Sequence, residues 1–413
     1  MDQYFLKFSP YKENYSLLQM QNVLEKLGNF HKALPVVHVA GTNGKGSVCA
    51  MLTAVLKEAG YRVGTYTSPH LLTMRERISL NGVPISEKAL SNIVEKYNSY
   101  FEGLSYFEVI TLCALIYFKQ ENVSLIVLET GMGGRLDATN VCHPLVSVIT
   151  NVGRDHMHHL GHSLPAILKE KTGICKKNTP LVTGVGEEQL KKNLEQSICE
   201  LNVPTYYLGD EFTYEVTRNP YPCPNHFKYY SDKMKLSIEG LSWWSTYHGK
   251  NAALVVKVIE LLRERSFSID DEHIEKGLKI YYWPGRMETI SEHPLVIFDC
   301  AHNEHGVNEL VRSLMTYYGN FKKYFLVSVS KDKEWAKMLH ILSEISQDIC
   351  IAPYAQDRSW NVAEVPSKFK KFSSIREGHE TIRSLMGQDD MLCLTGSIYA
   401  VAEAKGQNLI EKK

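Results

Sequence analysis

The sequence predicts an α/β protein in two domains. Residues 1–284 read as a P-loop-containing domain with a mostly parallel sheet and a small antiparallel ribbon. Residues 285–413 read as a smaller Rossmann-like α/β domain. Three observations predict this. The stretch Ala40-Gly41-Thr42-Asn43-Gly44-Lys45-Gly46-Ser47 lies between an apolar, β-branched run and a helix-period segment. Short apolar runs then alternate with helical patterns, as in a parallel sheet with helical crossovers. The alternation pauses over residues 205–245 and restarts past Tyr282-Trp283-Pro284-Gly285-Arg286, which marks the boundary. A length of 413 residues suits two or three domains of about 100–200 residues each.

In chain order, residues 12–27 read as a helix leading into the strand Leu34-Pro35-Val36-Val37-His38-Val39. After the Gly-rich turn, Val48, Leu52, Val55, Leu56 and Ala59 share one helix face, and Gly60 ends that helix. Arg62–Thr67 reads as a strand ending at Ser68-Pro69-His70-Leu71. Residues 107–118 read as a helix with a buried stripe of Phe107, Ile110, Leu115 and Phe118. Val123–Leu128 is a buried strand that stops at Glu129 and the turn Gly131-Met132-Gly133-Gly134-Arg135. Leu145–Thr150 is the next strand, followed by Asn151-Val152-Gly153-Arg154-Asp155-His156. Ser163 caps a helix with Pro165 in its first turn and Lys171 near its end. Within 205–245, alternating Tyr, Thr and Val predict the ribbon, with a turn at Asn219-Pro220-Tyr221-Pro222; Asn251 then opens a helix. In the second domain we expect strands at Leu295–Phe298, Tyr324–Val329, Asp348–Ala352 and Met391–Leu394. A helix should run from about Gly306, and another after Thr395-Gly396-Ser397.

Composition narrows the function. Acidic and basic residues balance at 46 each, so no global field draws in nucleic acid or an anionic membrane. The N-terminal residues lack the apolar run of a secretory signal, and the longest apolar stretch, around Val109–Phe118, is far short of the roughly 20 residues of a membrane span. Nine scattered cysteines with no CxxC pair read as reduced thiols of a cytoplasmic protein.

The Gly-rich turn carries the chemistry. Glycines let backbone N–H groups approach phosphate oxygens, and the helix N-terminus adds partial positive charge. Lys45 is placed to reach β/γ-phosphates and the Ser47 hydroxyl to hold magnesium. The spacing is not GxxxxGK[ST], since Val39 stands at its first glycine position. Ser47, Ser68, Glu129 and Asp155-His156 each follow the carboxyl end of an expected strand, where ligands bind in open α/β sheets. The hydroxyls and the Glu129 carboxylate suit a hard cation such as Mg²⁺; a solvated strand end is the rival reading of Glu129. His156 lies in Asp155-His156-Met157-His158-His159, which without cysteines is a weak metal signal. Lys171 taken alone is a surface lysine. Arg286 is placed either to clamp a phosphate or to form a hinge ion pair. Asp299 is placed to bind a ribose hydroxyl or to cap a helix, and His302 sits in the same turn. Together these residues describe a two-domain ATP-using enzyme, with the site expected in a cleft between the domains.

The motifs HVAGTNGKGSV (38–48), TSPHL (67–71), YFEVITL (106–112), LETGMGGRLDATN (128–140), ITNVGRDH (149–156), EKTGI (170–174), WPGRME (283–288), FDCAHN (298–303) and LTGSIY (394–399) resemble, in order and across most of the chain, the Mur ligase superfamily. GMGGRLDATN with TSPHL is most similar to its folylpolyglutamate synthase/dihydrofolate synthase branch. The resemblance implies an ATP-dependent ligase that forms an acyl phosphate on a folate or dihydropteroate carboxylate and joins it to L-glutamate. It also implies two magnesium ions, one held by Ser68 and Glu129, the other by Glu129 and His156, and a carbamylated Lys171 at the metal site. It places Gly41, Thr42, Asn43, Gly44, Lys45, Gly46 and Ser47 in the phosphate loop, Asn251, Arg286 and Asp299 on the nucleotide, and His302 by the transfer site. We expect a monomer. The chain departs from the pattern at Glu304, Arg154, Tyr247-His248 and Asp357-Arg358-Ser359-Trp360. Alternatives are a ligase of the superfamily acting on another carboxylate, and a non-catalytic nucleotide-binding paralogue.

Overall fold

In a computed structural model, residues 2–9, 16–407 and 409 are described. They divide into two compact units. The first comprises Met1–Val216, His226–Leu241 and Gly249–Tyr282. The second comprises Thr217–Asn225, Ser242–His248 and Trp283–Lys413.

The main sheet of the first unit is built from β1 (Val36–Ala40), β2 (Val63–Tyr66), β3 (Ile78–Leu80), β4 (Val83–Pro84), β5 (Leu125–Glu129), β6 (Val146–Ile149), β7 (Leu181–Thr183) and β8 (Thr205–Tyr207). Their order is β4-β3-β2-β5-β1-β6-β7-β8. From β2 to β8 all neighbours are parallel; β3 and β4 add an antiparallel edge. The central strands β1, β5 and β6 are buried along their whole length, which is why they read as continuous apolar runs rather than alternations. Helix Lys45–Glu58 follows β1 directly, and Gly60 takes φ +83° just beyond it.

Several expectations shift. The helix expected over 12–27 is seen at Leu18–Lys26, and residues 12–15 lie outside the described residues. Helix Tyr106–Gln120 starts with a capping box between Ser105 and Glu108. Glu108 through Phe118 are all buried, so the expected stripe is a helix covered on every side. Thr205–Tyr207, expected in the ribbon, instead pairs in parallel with β7 as the last strand of the main sheet. The ribbon proper is β9 (Phe212–Thr217), β10 (Asn225–Ser231) and β11 (Lys235–Leu241), in the order β11-β10-β9. Its links are too short for a parallel crossover, so sequential strands run antiparallel. Burial alternates along β9, as a half-solvated ribbon requires. Asn251 does not open its helix, which runs Thr246–Arg263.

The second unit carries β12 (Glu288–Glu292), β13 (Leu295–Phe298), β14 (Lys322–Val327), β15 (Ile349–Ile351), β16 (Lys370–Lys371) and β17 (Asp390–Thr395), in the order β12-β13-β17-β14-β15-β16. Only β12 is antiparallel to its neighbour. Helix Glu304–Tyr317 begins two residues before the expected Gly306, because the Asn303 side chain accepts the Gly306 N–H at 2.8 Å as its cap. Ser397 caps the final helix, Ile398–Gly406. Among the described residues, no helix is long and apolar enough to cross a membrane. All nine cysteines are free thiols.

Candidate active site

The loop after β1 is shaped by its glycines and clamped by the segment after β6. Gly44 stands at the helix N-cap with φ +84°, and a Cβ there would lie 2.9 Å from Asn251 Oδ1. A Cβ on Gly41 would lie 1.9 Å from Thr150 Oγ1. Residues 150–153 hold the loop's backbone. The Asn43 N–H donates to Asn151 Oδ1 at 3.0 Å, and Thr150 Oγ1 and Asn151 Nδ2 donate to the Asn43 carbonyl at 2.6 and 3.0 Å. The Gly153 N–H donates to Thr42 Oγ1 at 2.9 Å, and that hydroxyl donates to the Gly153 carbonyl at 3.1 Å. No side chain caps helix Lys45–Glu58, so its first-turn N–H groups face the loop as an anion site does. Lys45 Nζ donates to the carbonyls of Gly41 and Thr42 at 3.1 and 3.2 Å.

The strand order brings the other first-unit groups beside this loop. Glu129 ends β5 opposite Val39, with β1 on one side of β5 and β2 on the other. Glu129 is 2 % exposed, and its Oε2 accepts the Ser68 N–H at 3.0 Å across the β2 end. Ser47 is 1 % exposed, and its Oγ has no hydrogen-bond partner; the Asn251 side-chain Nδ2, also buried, has none either. Asp155 and His156 follow β6, on the other side of β1. His156 is exposed, at φ +49°, at the start of helix Met157–Leu160. The expected cap holds: Ser163 Oγ accepts the Ala166 N–H, starting helix Leu164–Thr172. Lys171, in its last turn, is buried rather than on the surface. Burial, reinforced by the charge of Lys45 and opposed by Asp155, lowers its ammonium to about 7. Among the described residues no three His, Cys, Asp or Glu side chains cluster to hold a metal ion.

The second-unit candidates share the turn before β12, which carries Arg286, and the loop after β13, which carries Asp299 and His302. Asp299 is buried and accepts three hydrogen bonds. They come from the N–H groups of Met287 and Ala301, both at 2.9 Å, and from the Tyr247 hydroxyl at 3.1 Å. Burial raises its carboxyl above the ordinary range despite the nearby Arg286 charge. Asp299 therefore caps no helix; Asn303 does that. His302 Nδ1 donates to the Cys300 carbonyl at 2.9 Å, which puts the basic nitrogen of the neutral ring at Nε2.

Sequence reasoning passed over the supports. Asp137 Oδ2 accepts the Met132 N–H at 2.9 Å, and its Oδ1 accepts the Thr139 hydroxyl at 2.6 Å. Thr139 Oγ1 in turn accepts His38 Nε2–H at 2.8 Å. His38 lies in the middle of β1, and burial lowers it to about 3, so it stays neutral. The same turn is tied to the Lys171 helix by Arg135–Glu170 at 2.9 Å. The signal was in the sequence, as polar residues inside LDATN and an apolar strand. The His38–Thr139 pairing, however, joins residues 101 positions apart.

Two family descriptions match the chain: the Mur ligase middle domain over residues 39–220 and the Mur ligase glutamate ligase domain over residues 285–398. The dihydrofolate synthase/folylpolyglutamate synthase of Bacillus subtilis is 33 % identical over 406 residues, covering 94 % of this chain and 93 % of that protein. E. coli FolC in complex with DHPP and ADP is 29 % identical with a TM-score of 0.88, covering 98 % of this chain and 96 % of that one. A bifunctional folylpolyglutamate synthase/dihydrofolate synthase with Mn, AMPPNP and L-glutamate bound is 30 % identical with a TM-score of 0.85, covering 97 % and 95 %. The chain belongs to the dihydrofolate synthase/folylpolyglutamate synthase family of Mur ligases.

Proposed function

We propose that this chain is an ATP-dependent amide ligase that joins L-glutamate to the carboxylate of dihydropteroate, of a folate, or of both, through an acyl phosphate. The observation that carries it is one edge of the main sheet. There an uncapped helix N-terminus, a buried Ser47 hydroxyl without a partner and the buried Glu129 carboxylate meet on adjoining strand ends. A hydroxyl left unpaired in a protein interior costs about 1–3 kcal/mol. A hard cation carried in with a nucleotide would satisfy it, so the residues fit magnesium.

The loop N–H groups and Lys45 hold the phosphates of ATP, with Gly41, Thr42, Asn43, Gly44 and Gly46 shaping the cradle. Ser47, Ser68 and Glu129 hold one magnesium ion, and Glu129, His156 and a carbamylated Lys171 a second. Magnesium, when bound, offsets charge on the phosphates. Lys171 suits carbamylation because an ammonium lowered to about 7 is about half uncharged at neutral pH, and only the uncharged amine adds CO₂, releasing a proton. Asn251, Arg286 and Asp299 contact the nucleotide. The acceptor's carboxylate oxygen attacks the γ-phosphorus and ADP leaves. The glutamate amine then attacks the acyl carbon and phosphate leaves. His302, basic at Nε2, takes the amine's proton. Residues 1–284 act as the ATP-binding domain and residues 285–413 as the ligase domain of a cytoplasmic monomer.

Acceptor labelled with ¹⁸O in its carboxylate tests this route. One labelled oxygen in the released phosphate, with ADP as co-product, is expected. Unlabelled phosphate, or AMP and pyrophosphate, would refute it.

A further inference from the structure

Arg286 is held on both sides by its own unit. The Gly285 N–H before it donates to Glu288 Oε2 at 2.8 Å, and the Met287 N–H after it donates to Asp299 Oδ2 at 2.9 Å. Gly285 sits at φ +69°, and its carbonyl accepts the Cys300 N–H at 2.8 Å. Met287 sits at φ +48°, a conformation that side chains adopt only where the surroundings enforce it, and such residues gather at functional sites. Glu288, which enforces one side, is a buried carboxylate, 7 % exposed at its side chain. Its second oxygen pairs with Lys405, 17 % exposed, from the last helix. Removing one partner of such a buried pair is costly, because the other is left uncompensated.

We infer that the Glu288–Lys405 pair is a positioning device for Arg286: Lys405 holds the Glu288 side chain in place, and Glu288 fixes the turn that presents the guanidinium. Neither residue needs to touch substrate. The inference rests on the proposed function for Arg286's nucleotide contact, and it adds a role for a residue in the final helix that lies outside every motif.

The test measures Mg·ATP affinity by calorimetry in the full chain, together with melting temperature. Glu288→Leu with Lys405→Met removes both charges and the Gly285 acceptor. Apolar replacement of a buried pair is commonly neutral or stabilising, which offsets part of the cost of leaving the Gly285 N–H without an acceptor; this variant is therefore expected to melt within about 5 °C of wild type, yet to bind Mg·ATP about tenfold more weakly. Glu288→Gln with Lys405→Met keeps an acceptor oxygen without a stranded charge and is expected to bind within about twofold of wild type. In an Arg286→Ala background the Leu/Met pair should add no further loss. Lys405→Met alone, which strands the Glu288 charge, should also weaken binding, and Lys405→Arg should restore it. Wild-type affinity in the Leu/Met variant, or an equal loss with Arg286 already removed, overturns the inference. Failure of the wild-type protein to bind Mg·ATP would instead refute the functional reading beneath it.

Discussion

Ser47 and Lys171 show what single buried groups contribute here. Ser47 carries a hydroxyl that the protein itself does not satisfy. Ser47→Ala is therefore expected to leave the ligand-free protein as stable as wild type, or up to about 1 kcal/mol more stable. It should also abolish most of the rise in melting temperature that Mg·ATP confers. Thermal scans with and without Mg·ATP check both halves, and a destabilised variant that still responds to the nucleotide would contradict the assignment. Lys171 releases its proton near pH 7 in the folded chain but near its ordinary 10.5 when unfolded. Between those values the unfolded chain binds more protons, so this residue makes stability rise with pH from about 7 toward 10.5. In CO₂-free buffer, Lys171→Met should lose that component and gain most over wild type below pH 7. Parallel pH profiles of the urea midpoints would contradict it. Lys171's burial was not legible in the sequence, because its spacing alone is that of a surface lysine. Ser47 and Glu129 were legible, since each follows a strand at the sheet edge where ligands gather.

At the scale of elements, the phosphate loop is held as much by the segment after β6 as by its own glycines. Gly41→Ala would drive a methyl group onto Thr150 Oγ1. It is expected to cost on the order of 2 kcal/mol or more and to weaken nucleotide binding, read by denaturation and by calorimetry. Full stability in that variant would mean the clamp is looser than its hydrogen bonds indicate. The strands and the loop helix were readable because apolar runs and helix periods are local patterns. The Thr150–Gly153 clamp was not, because its partners lie more than a hundred residues away and each bond has a main-chain atom at one end, which residue type does not reveal. The buried helix Tyr106–Gln120 misled for a related reason: a helix covered all round has no polar face to set its stripe. Thr205–Tyr207 was assigned to the ribbon because three residues carry too little pattern to separate a parallel edge strand from the hairpin beyond it.

For the whole molecule, the alternation of strands and helices conveyed two α/β sheets and a ribbon. It could not convey that Thr217–Asn225 and Ser242–His248 belong with the second unit, since that grouping depends on tertiary contacts. One such contact makes a departure from the family pattern useful: Tyr247, unusual by its motif, donates to Asp299. Tyr247→Phe is expected to raise the KM for ATP severalfold with a smaller effect on kcat, by steady-state kinetics; an unchanged KM would make the hydroxyl incidental. The central claim, glutamate ligation to a pterin-bearing carboxylate, is tested most directly by ATP-dependent phosphate release with L-glutamate, comparing dihydropteroate and tetrahydrofolate as acceptors and weighing the products. The account predicts release with at least one of them, each product heavier by one glutamate residue. No release with either acceptor, in a protein that still binds Mg·ATP, would contradict it.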